Sequence, residues 1–382
     1  MRRSTTTRIG VGAALAILLA IALAQPAAAQ RRSREAKEII RITRQVMREN
    51  HLQAAIVRVQ RGRRPVVTAA LGNTMTEVPA TPDMSWRIGS IAIPYMTTVM
   101  LKLRDEGKLS LNDTVSKWYP RYPNADKVTL RMLAHSTSGY PDFIQENPTF
   151  QAVLLSNPFR QFNQQELLRY AFAQPLICAP GQCFHYAHTN FIILGQILAK
   201  VTKQPVVTFL RRLILRPLKL RDTASSQTAE MPPPVLHAFG FDRGIYEETT
   251  GWSPSWSIGR GLIMYGNITD VATSAESILG GRLLSRSSRR ELVSRFPTPG
   301  QPQEPFYYAS GLVVIGNWRI QNPYINDYAG VQAYLPSKRL TIAVVSTLGI
   351  EGNRTGQNIS QVIFQQIANR LAPSDPVEFP PG

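Results

Sequence analysis

Two groups of β-patterned segments lie at opposite ends of this chain, with a long, mostly helical stretch between them. Residues 54–60 and 65–71 are rich in valine and alanine and are separated by Arg61-Gly62-Arg63-Arg64, the composition of a hairpin turn. After Phe306 the period changes again: residues 307–315, 331–335 and 340–348 read as three strands, and 358–371 as a closing amphipathic helix. Strands so far apart in sequence can share a sheet only if the intervening chain folds as a lobe beside it. The pattern therefore implies an α+β protein: an antiparallel sheet flanked by helices, plus an all-helical lobe. The expected division is a single domain over residues 30–382, with the sheet lobe from about 30–85 and 300–372 and the helical lobe from about 86–299. At 43% apolar residues the chain has ample material for such a core.

The helical stretch is legible in pieces. Ile39, Ile42 and Val46 place an amphipathic helix over 35–50, before the first strand. Asn163 with Glu166 forms a capping box that opens a helix carrying Leu167, Leu168 and Tyr170. Further helices are expected over 129–134, 189–201, 205–215, 268–279 and 287–294. No internal repeat is visible.

The first 29 residues have the make-up of an export signal. Arg2, Arg3 and Arg8 give a basic start, residues 9–24 are apolar and uncharged, and Ala27-Ala28-Ala29 offers a small-residue cleavage site, with Ala22-Leu23-Ala24 as a second. An uncleaved anchor is the competing reading. Export makes the cysteines informative. Cys178 and Cys183 enclose Ala-Pro-Gly-Gln, a sequence able to turn tightly enough to join the two thiols. A short-loop disulfide is the favoured reading, against two free thiols or half of a metal site. No nearby pattern supplies further ligands, so no metal and no cofactor is expected. The net charge is +18; removing residues 1–29 takes away three arginines and no acids, leaving 40 basic against 25 acidic residues, or +15. Such a charge suits an anionic cell wall or membrane surface, or solubility alone. Nucleic acid is not expected, because the basic residues are scattered without an aromatic platform.

Ser85-Trp86-Arg87-Ile88-Gly89-Ser90-Ile91-Ala92-Ile93-Pro94-Tyr95-Met96 reads as a segment end, a glycine turn and a helix start. Ser90 falls in the first helical turn, where backbone N–H groups lack partners. It either caps the helix or is a nucleophile whose developing oxyanion those amides meet.

Three later phrases bear on that choice: Glu106-Gly107-Lys108-Leu109-Ser110-Leu111, His135-Ser136-Thr137-Ser138-Gly139 and Tyr186-Ala187-His188. In this order and spacing, from about residue 54 to 371, the chain resembles the serine β-lactamase and penicillin-binding-protein family, in its class C and DD-peptidase-like branch. The resemblance implies a β-lactamase/transpeptidase-like fold with its site in the cleft between sheet and helical lobe. It also implies acyl transfer through Ser90, with Tyr186 beside it. Trp252-Ser253-Pro254-Ser255-Trp256 is close to a phrase of the same branch.

Three departures separate this chain from the family pattern. The lysine one helical turn after the nucleophile is Ile93, and the asparagine two residues after the tyrosine is His188. Around residues 321–330, where the family carries a Lys-Thr-Gly or His-x-Gly strand, no lysine or histidine completes the motif. A positioned base typically contributes about 10²- to 10⁴-fold, so lysine-dependent chemistry is expected to be strongly impaired. His188 is the one candidate replacement, since a serine–histidine pair is an established arrangement. Otherwise His188 keeps the asparagine's hydrogen-bonding part or is packed as structure, and the sequence assigns it no acidic partner. His135 is expected to be structural, bonding the loop under the site. Two functions follow. One is an exported serine hydrolase acting through Ser90, Tyr186 and His188 on a D-alanyl or other peptidoglycan-like peptide, ester, amide or lactam. The other is an inactive relative that binds a cell-wall fragment or a protein in the same cleft. The sequence does not decide whether the chain is an enzyme.

Overall fold

A computed structural model describes residues 11–299, 305–352, 354 and 356–379, with side chains described from Gln30 onward. The first helix runs over Val11–Glu49, so the amphipathic helix expected from residue 35 continues back through 11–29. Residues 1–10 of the expected signal lie outside the described residues. Among the described residues no helix is long and apolar enough to cross a membrane.

The two ends of the chain meet in one antiparallel sheet of nine strands among the described residues. Strand Leu52–Arg61 pairs with Arg64–Met75 through the expected arginine-rich turn, and on its other side with Leu340–Leu348. Leu340–Leu348 also pairs with Tyr328–Leu335, and every residue of both strands is buried. Burial on both faces follows from helices on both sides. Ser346 meets Ser360 of helix Ile359–Leu371 at 2.9 Å. On the opposite face, Gln332, the cross-strand partner of Ala343, donates to the Val271 carbonyl of helix Ile268–Ile278 at 2.7 Å. A buried valine, leucine or isoleucine contributes about 1.5–3 kcal/mol, so these central strands form the most heavily stabilised part of the sheet.

Beyond Tyr328–Leu335 the sheet continues through Trp318–Gln321, Val313–Ile315 and Phe306–Tyr308. The sequence expectation of one strand over 307–315 is corrected here. The chain turns back at Ser310-Gly311, where Gly311 has φ +77°, so the segment is two strands of a hairpin. Strand Trp318–Gln321 was not anticipated; it is four residues long and carries Arg319 and Gln321 within it. Helix Ala92–Asp105 is buried along most of its length, packed against other helices that include His188–Thr202 and Ile268–Ile278.

The cysteine loop is closed by a Cys178–Cys183 disulfide. Backbone bonds lash this loop to the Ser136–Gly139 turn: Ile177 N–H to Gly139 O at 2.9 Å, Gly181 N–H to Thr137 O at 2.8 Å and His185 N–H to Ser136 O at 2.9 Å. The disulfide thus restrains the segment that leads into Tyr186 and His188. Loop-closure entropy for so short a loop is about 2 kcal/mol. A Cys178→Ala, Cys183→Ala double variant is expected to lose about that much stability in urea unfolding, with its far-UV circular dichroism unchanged. A loss below experimental error would show that the backbone bonds alone hold the loop.

Candidate active site

The approach to Ser90 is built by a short sheet. Trp86–Arg87 pairs with Met264–Gly266, which pairs with Ala224–Ser225. The buried Arg87 guanidinium donates to the carbonyls of Thr228 and Glu230 at 2.5 and 3.2 Å, fixing the strand end. Gly89 then turns the chain with φ +48°. A Cβ there would sit 2.7 Å from Pro323 Cβ, so only glycine permits this turn to lie against the 323–325 segment. Ser90 follows in a 3₁₀ turn, Gly89–Ile91, leading into helix Ala92–Asp105. It does not cap that helix: neither the turn nor the helix has a side-chain cap bond. Gly89 and Ser90 stand in the first turn of this helical start, where backbone N–H groups have no partner within the helix itself.

Ser90, Tyr186 and His188 line one cavity of about 290 Å³. Its far wall is Gln321, Asn322, Pro323 and Tyr324, the region where the family strand motif was sought. No lysine or histidine stands there; Gln321 instead donates to the Gly311 carbonyl at 2.5 Å. Ile93 does not face the cavity. It is fully buried, and a Cβ on Gly311 would lie 3.0 Å from its Cγ2.

His188 opens helix His188–Thr202 and has a partner that sequence reasoning missed. Its Nδ1 lies 2.7 Å from Asp142 Oδ2, and its own backbone N–H donates to the same oxygen at 2.9 Å. The other carboxylate oxygen of Asp142 accepts from the N–H groups of Ile144 and Gln145 at 2.6 and 3.2 Å. Burial alone would raise the Asp142 pKa, but the His188 ring and these donors outweigh it and bring the group down to about 2. Asp142 is therefore an anion that only accepts. The His188 Nδ1 must then donate, which makes Nε2 the nitrogen that can take up or give back a proton. The only sequence signal was an aspartate in Gly139-Tyr140-Pro141-Asp142, which also reads as an ordinary turn.

The Ser136–Gly139 turn supports this pair from beneath. Ser138 Oγ donates to Asn190 Oδ1 at 2.5 Å, and Thr189 Oγ1 to Pro141 O at 2.7 Å. His135 is buried as expected of a structural residue, but its ring does not bond the loop: its nearest ionic partner, Glu291, is 3.7 Å away. Tyr186 packs edge-to-face on His188, with ring centroids 5.2 Å apart. Burial, then the Asp142 charge, push its phenol well above the usual tyrosine range. At neutral pH it can donate a hydrogen bond but cannot act as a base.

A family model described as Beta-lactamase matches residues 39–361. The chain belongs to the beta-lactamase family. This beta-lactamase relative is 26% identical over 199 residues to Protein flp of Staphylococcus aureus (strain N315), which covers 50% of this chain and 39% of that protein. Across such curated relatives the chain spans 30 to 55% of their length. Among solved structures it is 25% identical to a D-stereospecific amidohydrolase from Streptomyces sp., with a TM-score of 0.72 over 83% of this chain and 94% of that one. A penicillin binding protein from Bacillus halodurans shares the fold at 18% identity, with a TM-score of 0.70 over 84% and 98% of the two chains. The fold is thus the β-lactamase/transpeptidase-like one.

The burial of Ile93 yields a test. Ile93→Lys places an unpaired ammonium in an apolar site, and is expected to cost about 3 kcal/mol or more. It is not expected to bring nitrocefin turnover to the level of a β-lactamase, because the strand motif and the Tyr-x-Asn amide are still missing. Thermal unfolding and a nitrocefin assay check both; a stable, active Ile93→Lys protein would show that Ile93 is the only lesion.

Proposed function

We propose that this protein is a serine hydrolase of the β-lactamase-like type that uses a Ser90–His188–Asp142 relay in place of the family lysine. The observation that carries the reading is the 2.7 Å contact between His188 and Asp142, beside the cavity that His188 shares with Ser90. A serine hydroxyl needs a base, and an imidazole fixed by an ionised carboxylate is one. In this reading Ser90 Oγ attacks a carbonyl carbon while its proton passes to His188 Nε2. The Ser90 N–H and the Tyr186 hydroxyl donate to the oxyanion. Collapse breaks the bond to the leaving alcohol or amine, which departs with the proton from His188. Water then repeats the sequence on the acyl-serine, releasing the acid and restoring Ser90.

The substrate class is a small ester, amide, D-alanyl peptide or lactam. The likeness to a D-stereospecific amidohydrolase supports an amide or ester. Export as a single domain after a signal over residues 1–29 is part of the proposal, supported by the apolar leader and the Cys178–Cys183 disulfide. The buried Ile93 and the protonated Tyr186 favour a second reading, in which the cleft binds without turnover.

A panel of p-nitrophenyl butyrate, D-alanine p-nitroanilide and nitrocefin separates the two. Ser90→Ala and His188→Ala are each expected to lower kcat/KM on the accepted substrate by about 10²- to 10⁴-fold, with KM changing little. Wild-type turnover no higher than that of Ser90→Ala on every substrate would leave the binding reading standing.

A further inference from the structure

The chain carries a net charge of +18, yet none of the described residues lining the Ser90 cavity is a lysine or arginine. The segment 300–304, outside the described residues, adds no basic residue by sequence. Arg87, three residues before Ser90, is spent on the Thr228 and Glu230 carbonyls and does not line the cavity. The lining is aromatic instead: Phe184, Tyr186, Trp256, Phe306, Tyr308 and Tyr324 surround the reactive groups. Tyr308 lies at the centre of this wall, with its ring centroid 5.5 Å from Phe184 and 5.8 Å from Tyr186.

The fixed charges behind the lining are negative. Asp142 sits behind His188. Asp327 is buried behind Tyr324, whose hydroxyl donates to it at 2.9 Å. Burial, with Asp242 nearby, raises Asp327 to about 6, so at neutral pH it is largely ionised. Burial first, and these two carboxylates second, oppose proton loss from Tyr186 and Tyr324, and both effects also oppose entry of another anion. D-alanyl peptide termini and penicillin-type lactams carry a carboxylate close to the scissile bond. A site that takes them is best served by a fixed cation for that group, and here the cavity offers aromatic faces, neutral hydroxyls and three neutral amides, Gln145, Gln321 and Asn322, with no lysine or arginine among its described lining.

We infer that the physiological substrate is a compact, uncharged ester or amide with an aromatic or alkyl group beside its carbonyl, and lacks the carboxylate of a D-alanyl peptide or lactam. The inference rests on Ser90 being the acylated residue. The cavity volume of about 290 Å³ fits one ring and a carbonyl rather than an extended peptide.

The test uses the full chain and a matched ester pair: 4-nitrophenyl 3-phenylpropanoate and its para-carboxyphenyl analogue, which differ only by one carboxylate. Labelling by a fluorophosphonate, located by peptide mass spectrometry, reads Ser90 reactivity independently of either ester. The expected result is a labelled Ser90 with kcat/KM at least tenfold higher for the neutral ester. Asn322→Lys, which sets an ammonium on the cavity wall, is expected to shrink that ratio severalfold. Labelled Ser90 with equal or faster turnover of the carboxylated ester would overturn the inference and leave the serine-hydrolase reading intact. No label, and no hydrolysis of either ester above that of Ser90→Ala, would overturn that reading and this inference with it.

Discussion

The pairing of Leu52–Arg61 with Leu340–Leu348 is the contact on which the molecule depends. It joins the two ends of the chain in one sheet, and so obliges everything between them to leave the sheet and return. The departure is through Trp86–Arg87 and the Gly89 turn; the return is through Phe306–Tyr308 and its neighbours. Ser90 and the 321–325 segment are therefore brought together by topology, and the approach is close enough that Gly89 can carry no side chain. The cavity lies at this seam. One wall is a helix start, one is the end of a strand, a third is the loop ahead of helix His188–Thr202, and the 256–258 loop completes the lining.

That third wall shows how one carboxylate links fold and chemistry. Asp142 supplies the cap that helix His188–Thr202 lacks locally, since Ala187 offers no side-chain acceptor. A negative group at a helix start is favoured by the helix dipole. The same oxygen orients the His188 ring. A structural function and an orienting function thus rest on a single atom, which explains why a fully buried aspartate stays ionised. The disulfide and the Ser136–Gly139 turn hold both sides of this contact.

Much of this was legible in the sequence where the signal is local. The arginine-rich hairpin, the Asn163 cap and the cysteine loop each follow from neighbouring residues; the hairpin and the disulfide form as read, and of the Asn163–Glu166 capping box the Asn163 half forms, the Glu166 carboxylate pairing with Arg160 instead. The resemblance of short phrases marked Ser90, Tyr186 and His188 as neighbours, and they line one cavity. What was not legible depends on residues distant in sequence. Asp142 precedes His188 by 46 residues and looks like a turn former. Strand Trp318–Gln321 is too short, and too polar at Arg319 and Gln321, to show a period of its own; its place is set by pairing with Tyr328–Leu335. The break at Gly311 is required by the return of the hairpin, while the apolar residues around it read as one continuous strand.

The replacement of the family lysine by an Asp142-held imidazole is most directly tested by the protonation of the His188 ring itself. In protein labelled with ¹⁵N-histidine at neutral pH, long-range ¹H–¹⁵N correlation spectra report the tautomer of each ring, with His188→Gln giving the assignment. The account predicts that the His188 ring carries a proton on Nδ1, far downfield from its bond to the Asp142 carboxylate. It also predicts that Asp142→Asn abolishes the downfield signal. A His188 ring with no proton on Nδ1, or one whose signals are unaltered by Asp142→Asn, would contradict it.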